Sequence, residues 1–310
     1  LFEVWHDGAN GGDGYYGGSR EKRTIDKKTY YGWPETWALV RKHQPDACVF
    51  SDVGPDVRWV GNERGIAGET CWATCDPVAD QGGEASPGNA KAALLNLGTR
   101  NGSRWLPAEC DVSIRPGWFW HENQNERVKT PRQLMDLFYK SVGRGANLLL
   151  NVPPDRRGLL HENDVASLKG FGAMLKNTFA VDLAAGAMVS ASDERQGFSG
   201  KALTDGKTAT YWATKDGVMQ AEAVIELARP AAFDVIRVKE AIALGQRVEG
   251  IAVDGWQDGG WRMLGTATSV GACRIIKLDS PVTFSKLRLR VTYSPVCPAI
   301  SEFSLFRERA

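Results

Sequence analysis

The sequence has no excess of either charge: 38 Lys and Arg stand against 37 Asp and Glu, a formal net charge of +1. That balance gives no sign of the excess positive charge expected of a nucleic-acid binder or of a protein that lies on an anionic membrane. Long apolar runs are missing as well, so no stretch is suited to spanning a bilayer. No secretory leader pattern opens the chain, which instead begins abruptly on a strand and reads as truncated. Six cysteines in 310 residues do not make a disulfide scaffold. Cys71 and Cys75 lie four apart with no second pair at zinc spacing, so no metal is expected there. Cys273 and Cys297 both sit in the C-terminal region and could pair if that region is exported. What the chain does have is tryptophan, eleven in all. Indole rings pack cores in most proteins, and they also offer flat apolar faces and N–H donors to sugar rings.

The first apolar stretch, Leu1-Phe2-Glu3-Val4-Trp5, predicts a short strand ending at Asp7 and a loop rich in Gly, Tyr and Asp. A carboxylate at the C-terminal end of a parallel strand points to the face where α/β barrels keep their chemistry. The same Asp also suits the N-cap of a following helix. A helix is predicted over Lys28–His43, with Trp33, Trp37 and Val40 on its apolar face, then a strand over Ala47–Asp52. Gly54 to Gly65 reads as a long irregular loop, and long loops in compact domains are usually functional. Residues 76–108 read as an excursion with little structure. A third strand is predicted over Cys110–Arg115, a helix over Pro131–Val142, a fourth strand over Asn147–Val152 stopped by Pro153, and a helix from Leu160 to Phe179. Strands alternating with helices predict a parallel sheet, and the four strands found are about half of the eight a closed barrel needs.

Beyond Leu183 the pattern changes to short alternating β runs, such as Asp234–Val238 and Lys286–Val291, split by Gly and Asp turns. These predict an antiparallel β-sandwich over 187–310, joined to the first domain, 1–183, by a linker at Ala184–Ala191.

Glu63, Glu69 and Glu109 are the acidic residues available to partner Asp7. Glu63 lies beside Trp59, and an aromatic wall raises a carboxyl pKa by desolvation, as a general acid requires. Two carboxylates on neighbouring barrel-top loops suit glycoside hydrolysis. On this loop alone Glu63 reads more readily as a solvated partner of Arg58 or Arg64 than as a catalytic acid. Glu109 falls near the N-terminal end of its strand, on the far side from the chemistry.

Four motifs carry a family resemblance: Glu3-Val4-Trp5-His6-Asp7-Gly8-Ala9-Asn10, Gly54-Pro55-Asp56-Val57-Arg58-Trp59-Val60-Gly61-Asn62-Glu63, Pro107 through Phe119, and Leu148-Leu149-Leu150-Asn151-Val152-Pro153-Pro154. Over residues 1–180 the sequence resembles the α-L-fucosidases of glycoside hydrolase family 29, closest to the branch that acts on α-1,3/1,4-linked fucose. The resemblance implies a partial (β/α)8 TIM-type barrel and a retaining exo-fucosidase with Asp7 as nucleophile and Glu63 as acid/base. It places Trp5 and Trp118 against the sugar and Arg115 nearby, and needs no cofactor. Its substrates would be fucosylated oligosaccharides or glycoprotein glycans, met by a secreted or periplasmic protein. His6 stands where the family usually has Phe, and the family's first strands, which grip the fucose hydroxyls, are absent. The fragment alone is therefore expected to be inactive, which leaves a non-catalytic carbohydrate-binding protein as the alternative, beside some other retaining glycosidase. The C-terminal part resembles a galactose-binding-like, discoidin-type sandwich through Leu203 to Trp212, whose Asp205-Gly206 turn can in relatives hold a structural calcium.

Overall fold

The computed structural model describes residues 1–7, 12–14, 20–26 and 29–309. The N-terminal unit contains β1 (Glu3–Trp5), β2 (Gly12–Gly14), β3 (Arg23–Ile25), α1 (Trp33–His43), β4 (Cys48–Ser51), β5 (Val57–Trp59), β6 (Thr74–Cys75), α2 (Ala92–Leu97), β7 (Arg104–Trp105), β8 (Ala108–Ser113), α3 (Pro131–Lys140), β9 (Asn147–Asn151) and α4 (Glu162–Phe179). Its main sheet is parallel throughout, in the order β1-β4-β5-β8-β9. It has five strands, not the four expected.

The extra strand, β5, lies inside what reads as an irregular loop, and two physical features hide it. Five residues, Asp52–Asp56, connect it to its parallel neighbour β4, whereas such crossovers usually take a dozen or more. The turn closes at Gly54, whose φ is +97°; a Cβ there would lie 2.6 Å from Leu106. Asp56 locks the turn by accepting the Val49 N–H at 2.7 Å and pairing with Arg41. The second feature is Arg58 in the middle of the strand. Its charge reads as solvent-facing, yet the residue is fully buried, donating to the carbonyls of Leu95 (2.8 Å) and Leu106. It thus ties the long excursion between β5 and β8 back onto the sheet.

The sheet is curled. Side chains of Glu3 and Trp5 on β1 interact with Glu109 on β8, although β4 and β5 lie between them. In a flat sheet those strands would be ~14 Å apart. On the outer side, Val112, Ile114, Leu148 and Leu150 pack against Leu134 and Leu137 of α3 and Leu168 and Phe171 of α4. α3 starts where expected, at Pro131, with a Thr130/Gln133 capping box. α1 starts five residues later than expected, after Gly32 in the left-handed region, and Lys28 lies outside the described residues.

The C-terminal unit contains β10 (Met188–Ala191), β11 (Trp212–Ala213), β12 (Ala221–Glu240), β13 (Gly250–Gln257), β14 (Gly260–Ala267), β15 (Arg274–Tyr293) and β16 (Ala299–Phe306). β12 and β15 are antiparallel along their length, with a register shift between Glu226 and Ala231. On one side of the shift they carry β10, β13 and β14; on the other, β16 and β11. The two halves enclose one core that includes Trp212, Phe233, Leu287, Leu289 and Phe303. The expected linker is not free: Ala184 is buried in this core and β10 belongs to the sheet. Cys273 and Cys297 are both free thiols.

The units are packed together. Phe138 and Phe179 meet Phe306 and Val235, and the Arg237 guanidinium lies 4.6 Å from the Phe306 ring centre. Tyr139 donates to Glu308 at 2.8 Å.

Candidate active site

Asp7 follows β1. Trp5 stacks on Phe50 of β4 with ring centres 4.7 Å apart, and the His6 N–H still donates to Phe50 O at 3.1 Å. The strand geometry therefore persists up to Asp7, which is exposed at its C-terminal end. The glycine-rich residues just after it, 8–11 and 15–18, lie outside the described residues.

Asp52 occupies the same position at the end of the neighbouring β4. Burial raises its pKa; the Gly88 N–H donated to it at 2.6 Å opposes this, and the charge of Asp7 adds to it. Asp111, on β8, accepts the Trp59 indole N–H at 2.7 Å. Burial pushes Asp111 up to about 6, against the Trp59 hydrogen bond and with help from the charges of Glu63 and Asp52. Asp7, Asp52, Asp111 and Glu63 thus form one electrostatically linked group along adjacent strands, with Asp7 and Glu63 exposed and Asp52 and Asp111 withdrawn.

Glu63 lies four residues past β5, on the loop at the same end of the sheet. It accepts the Trp118 indole N–H at 3.2 Å. Trp118 is carried by the loop after β8, where Asn151 at the end of β9 donates to its carbonyl at 3.0 Å. Glu63 makes no ion pair with Arg58 or Arg64 among the described residues. Trp118, not Trp59, is the aromatic side chain that meets it; Trp59 is engaged with Asp111.

Arg115 is not presented to this group. Its side chain and that of Asp164 are both fully buried and paired at 2.5 Å. Its remaining donors reach Asn125 Oδ1 at 3.0 Å and His121 O at 3.4 Å. Arg115 therefore braces the loop that carries Trp118. Glu69 is an ion-pair partner of Arg144 and Arg274. Glu109 is the second residue of β8, as expected, but the curl brings it into the sheet interior beside Glu3 and Trp5. Burial, then the Glu3 carboxyl, push it up to about 7. Asp52 and Asp111 were not anticipated. Asp52 shares with Asp7 the signal of a carboxylate ending a parallel strand; Asp111 sits mid-strand with no such signal.

No group of three or more His, Cys, Asp or Glu suited to a metal is found among the described residues. In the C-terminal unit, Asp205 accepts Lys207 N at 2.9 Å and Thr210 Oγ1 at 2.7 Å, closing its own turn.

Comparison with known proteins gives this geometry its context. Residues 5–178 match the alpha-L-fucosidase family and residues 188–303 the F5/8 type C, or discoidin, domain. Over its whole length the chain is 35% identical to Alpha-L-fucosidase 1 of Arabidopsis thaliana, and it spans 58% of that protein. Among solved structures, SpGH29 superposes with a TM-score of 0.86 at 32% identity, covering all of this chain and 64% of its own. A Ruminococcus gnavus GH29 fucosidase in complex with fucose superposes with a TM-score of 0.82 at 30% identity, covering all of this chain and 61% of its own. The family match takes in more than half of the chain, including β4, β5, β8 and β9 and the last residue of β1, and the chain belongs to the alpha-L-fucosidase family, glycoside hydrolase family 29.

Proposed function

We propose that the protein is a retaining exo-α-L-fucosidase that removes terminal α-linked fucose, in α-1,3 or α-1,4 linkage, from oligosaccharides or glycoconjugates. The five-stranded curled sheet is, in this reading, part of an eight-stranded (β/α)8 barrel whose C-terminal face holds the sugar. The C-terminal unit is a galactose-binding-like sandwich, and the protein acts where such glycans are exposed, as a secreted or periplasmic enzyme.

The observation that carries the reading is the linked carboxylate group at one end of the sheet, with Asp7 and Glu63 as its exposed members. Asp7 attacks the anomeric carbon and forms a glycosyl ester, while Glu63 protonates the departing oxygen. Glu63 then takes a proton from water, which displaces Asp7. A retaining enzyme holds two such carboxyls about 5–5.5 Å apart. Trp118 fixes one Glu63 oxygen and leaves the other for the leaving group. Burial pushes Asp111 up to about 6, which limits the negative charge crowded around the nucleophile in weakly acidic solution. Trp5 and Trp118 offer the flat faces for the pyranose. No cofactor is called for, and a non-catalytic sugar binder would have no use for the paired carboxylates.

The test is the stereochemistry of the first product, followed by proton NMR on an aryl α-L-fucoside with the barrel complete. The reading expects α-fucose first, with the β anomer appearing only by mutarotation. β-Fucose first, or no fucose released, would overturn it.

A further inference from the structure

The C-terminal unit holds the segment that leads on from Glu63. Arg274 Nη1 donates to Glu69 O at 2.7 Å, and Ser269 Oγ accepts the Cys71 N–H at 3.3 Å. The hydroxyls of Thr70 and Thr268 share a bond of 2.6 Å. Gln246 makes two bonds at once: its Oε1 accepts the Ala73 N–H at 2.7 Å and its Nε2 donates to Cys71 O at 3.1 Å. A carboxamide joined to the C=O of one residue and the N–H two residues later satisfies both groups as one residue of a parallel neighbouring strand would.

The jaws of this grip share one anchor. Glu240 is buried, and it accepts the N–H groups of Arg247 (2.6 Å), Val248 (2.8 Å) and Gly271 (2.6 Å). The first two fix the loop that carries Gln246; the third fixes the turn that carries Thr268 and Ser269. From the gripped stretch back to Glu63 the chain has little slack. The Ala67 N–H donates to Lys140 O at 2.9 Å, Asn62 donates to Ile66 O at 2.9 Å, and Asn96 donates to Val60 O and Ile66 O. At Gly65, φ +72°, a Cβ would come within 2.7 Å of Val112.

We propose that Gln246 is a positioning residue for the acid/base carboxylate. Through it, the C-terminal unit holds residues 69–73, and thereby the Glu63 turn, where Glu63 meets Trp118. The proposal rests on the reading of Glu63 as the acid/base. A loosened turn removes proton donation before it removes sugar binding. Gln246→Ala is therefore expected to lower kcat/KM on a fucosylated oligosaccharide by about tenfold to a hundredfold, the scale on which small misplacements act. An activated aryl fucoside, whose leaving group needs no proton, should change little in the fucosylation step.

Amide hydrogen exchange followed by mass spectrometry reads the same claim without turnover. Residues 62–67 should exchange faster in Gln246→Ala than in the parent protein, measured at a temperature where both are fully folded. Faster exchange confined to 69–73, or equal losses on both substrates with 62–67 unchanged, would overturn the proposal. If Glu63→Ala shows the leaving-group split and Gln246→Ala does not, the inference alone fails. If Glu63→Ala shows no split, the assignment of Glu63 fails while the exchange result still decides whether Gln246 holds the turn.

Discussion

Glu109 in the parallel sheet and Glu240 in the sandwich are both buried and both pushed up to about 7, yet their surroundings are opposites. Glu240 is desolvated but receives three backbone N–H donors, which oppose the rise. Glu109 has Glu3 and Asp111 as neighbours, both of which push it further up, and its Oε1 has no hydrogen-bond partner among the described residues. Asp254, also in the sandwich, shows the same contrast: burial raises it, but Arg290 and Arg288 outweigh that and hold it below the ordinary range. A domain selected for stability pairs its buried charges. The sheet interior instead accumulates carboxyls of one sign beneath an open face, as a site does when it must tune proton affinity.

Three outcomes would break or sharpen this contrast. The largest belongs to the sheet face. In the (β/α)8 enzyme proposed above, Glu63→Ala should lose about 10²–10⁴-fold in turnover of a fucosylated oligosaccharide and far less in fucosylation from an activated aryl fucoside. Glu109→Ala should show no such split. If the two variants behaved the other way round, Glu109 would be the acid.

Next comes the sandwich. Glu240→Ala leaves three buried N–H groups without acceptors, each costing about 1–3 kcal/mol. A loss of ~3 kcal/mol in stability is expected by denaturant titration, with both jaws around residues 69–73 loosened. An unaltered midpoint would show that the carboxylate is not the anchor described.

The smallest effect is the pH dependence of stability. Glu109 has a folded pKa of about 7 against an ordinary 4.5. Between those values the native state keeps a proton that the unfolded chain has released, so stability falls as pH rises through that window. Glu240 acts with the same sign over the same range. Asp111, pushed up to about 6, adds the same sign in the lower part of the window, so Glu109→Gln should reduce the slope rather than abolish it, gaining on the order of 2 kcal/mol at pH 8. A steeper slope in the variant would contradict the assignment.

Much of this arrangement was legible in the sequence where apolar runs and punctuation agree. β1, β4, β8 and β9 follow from their apolar runs, and α3 from Thr130-Pro131 and the Gln133 that completes its cap. β5 was not legible, because Arg58 looks solvated until the carbonyls that receive it are known. Arg115 is placed near the sugar by the family resemblance alone; its partner, Asp164, lies 49 residues away, so the sequence gives no sign of the buried ion pair. Asp7 and Glu63 stood out by position and motif. Asp52 carried the same strand-end signal as Asp7 but was hidden by the turn residues after it. Asp111 could be recognised only once the curl brought β8 under the face.

The central claim, that Asp7 is the nucleophile on this face, has a direct test. A 2-deoxy-2-fluoro-fucosyl donor with a good leaving group should form a long-lived glycosyl ester, which peptide mass spectrometry can locate. The account predicts the label on Asp7. Label on Asp52, Glu109 or Asp111, with Asp7 unmodified, would contradict it.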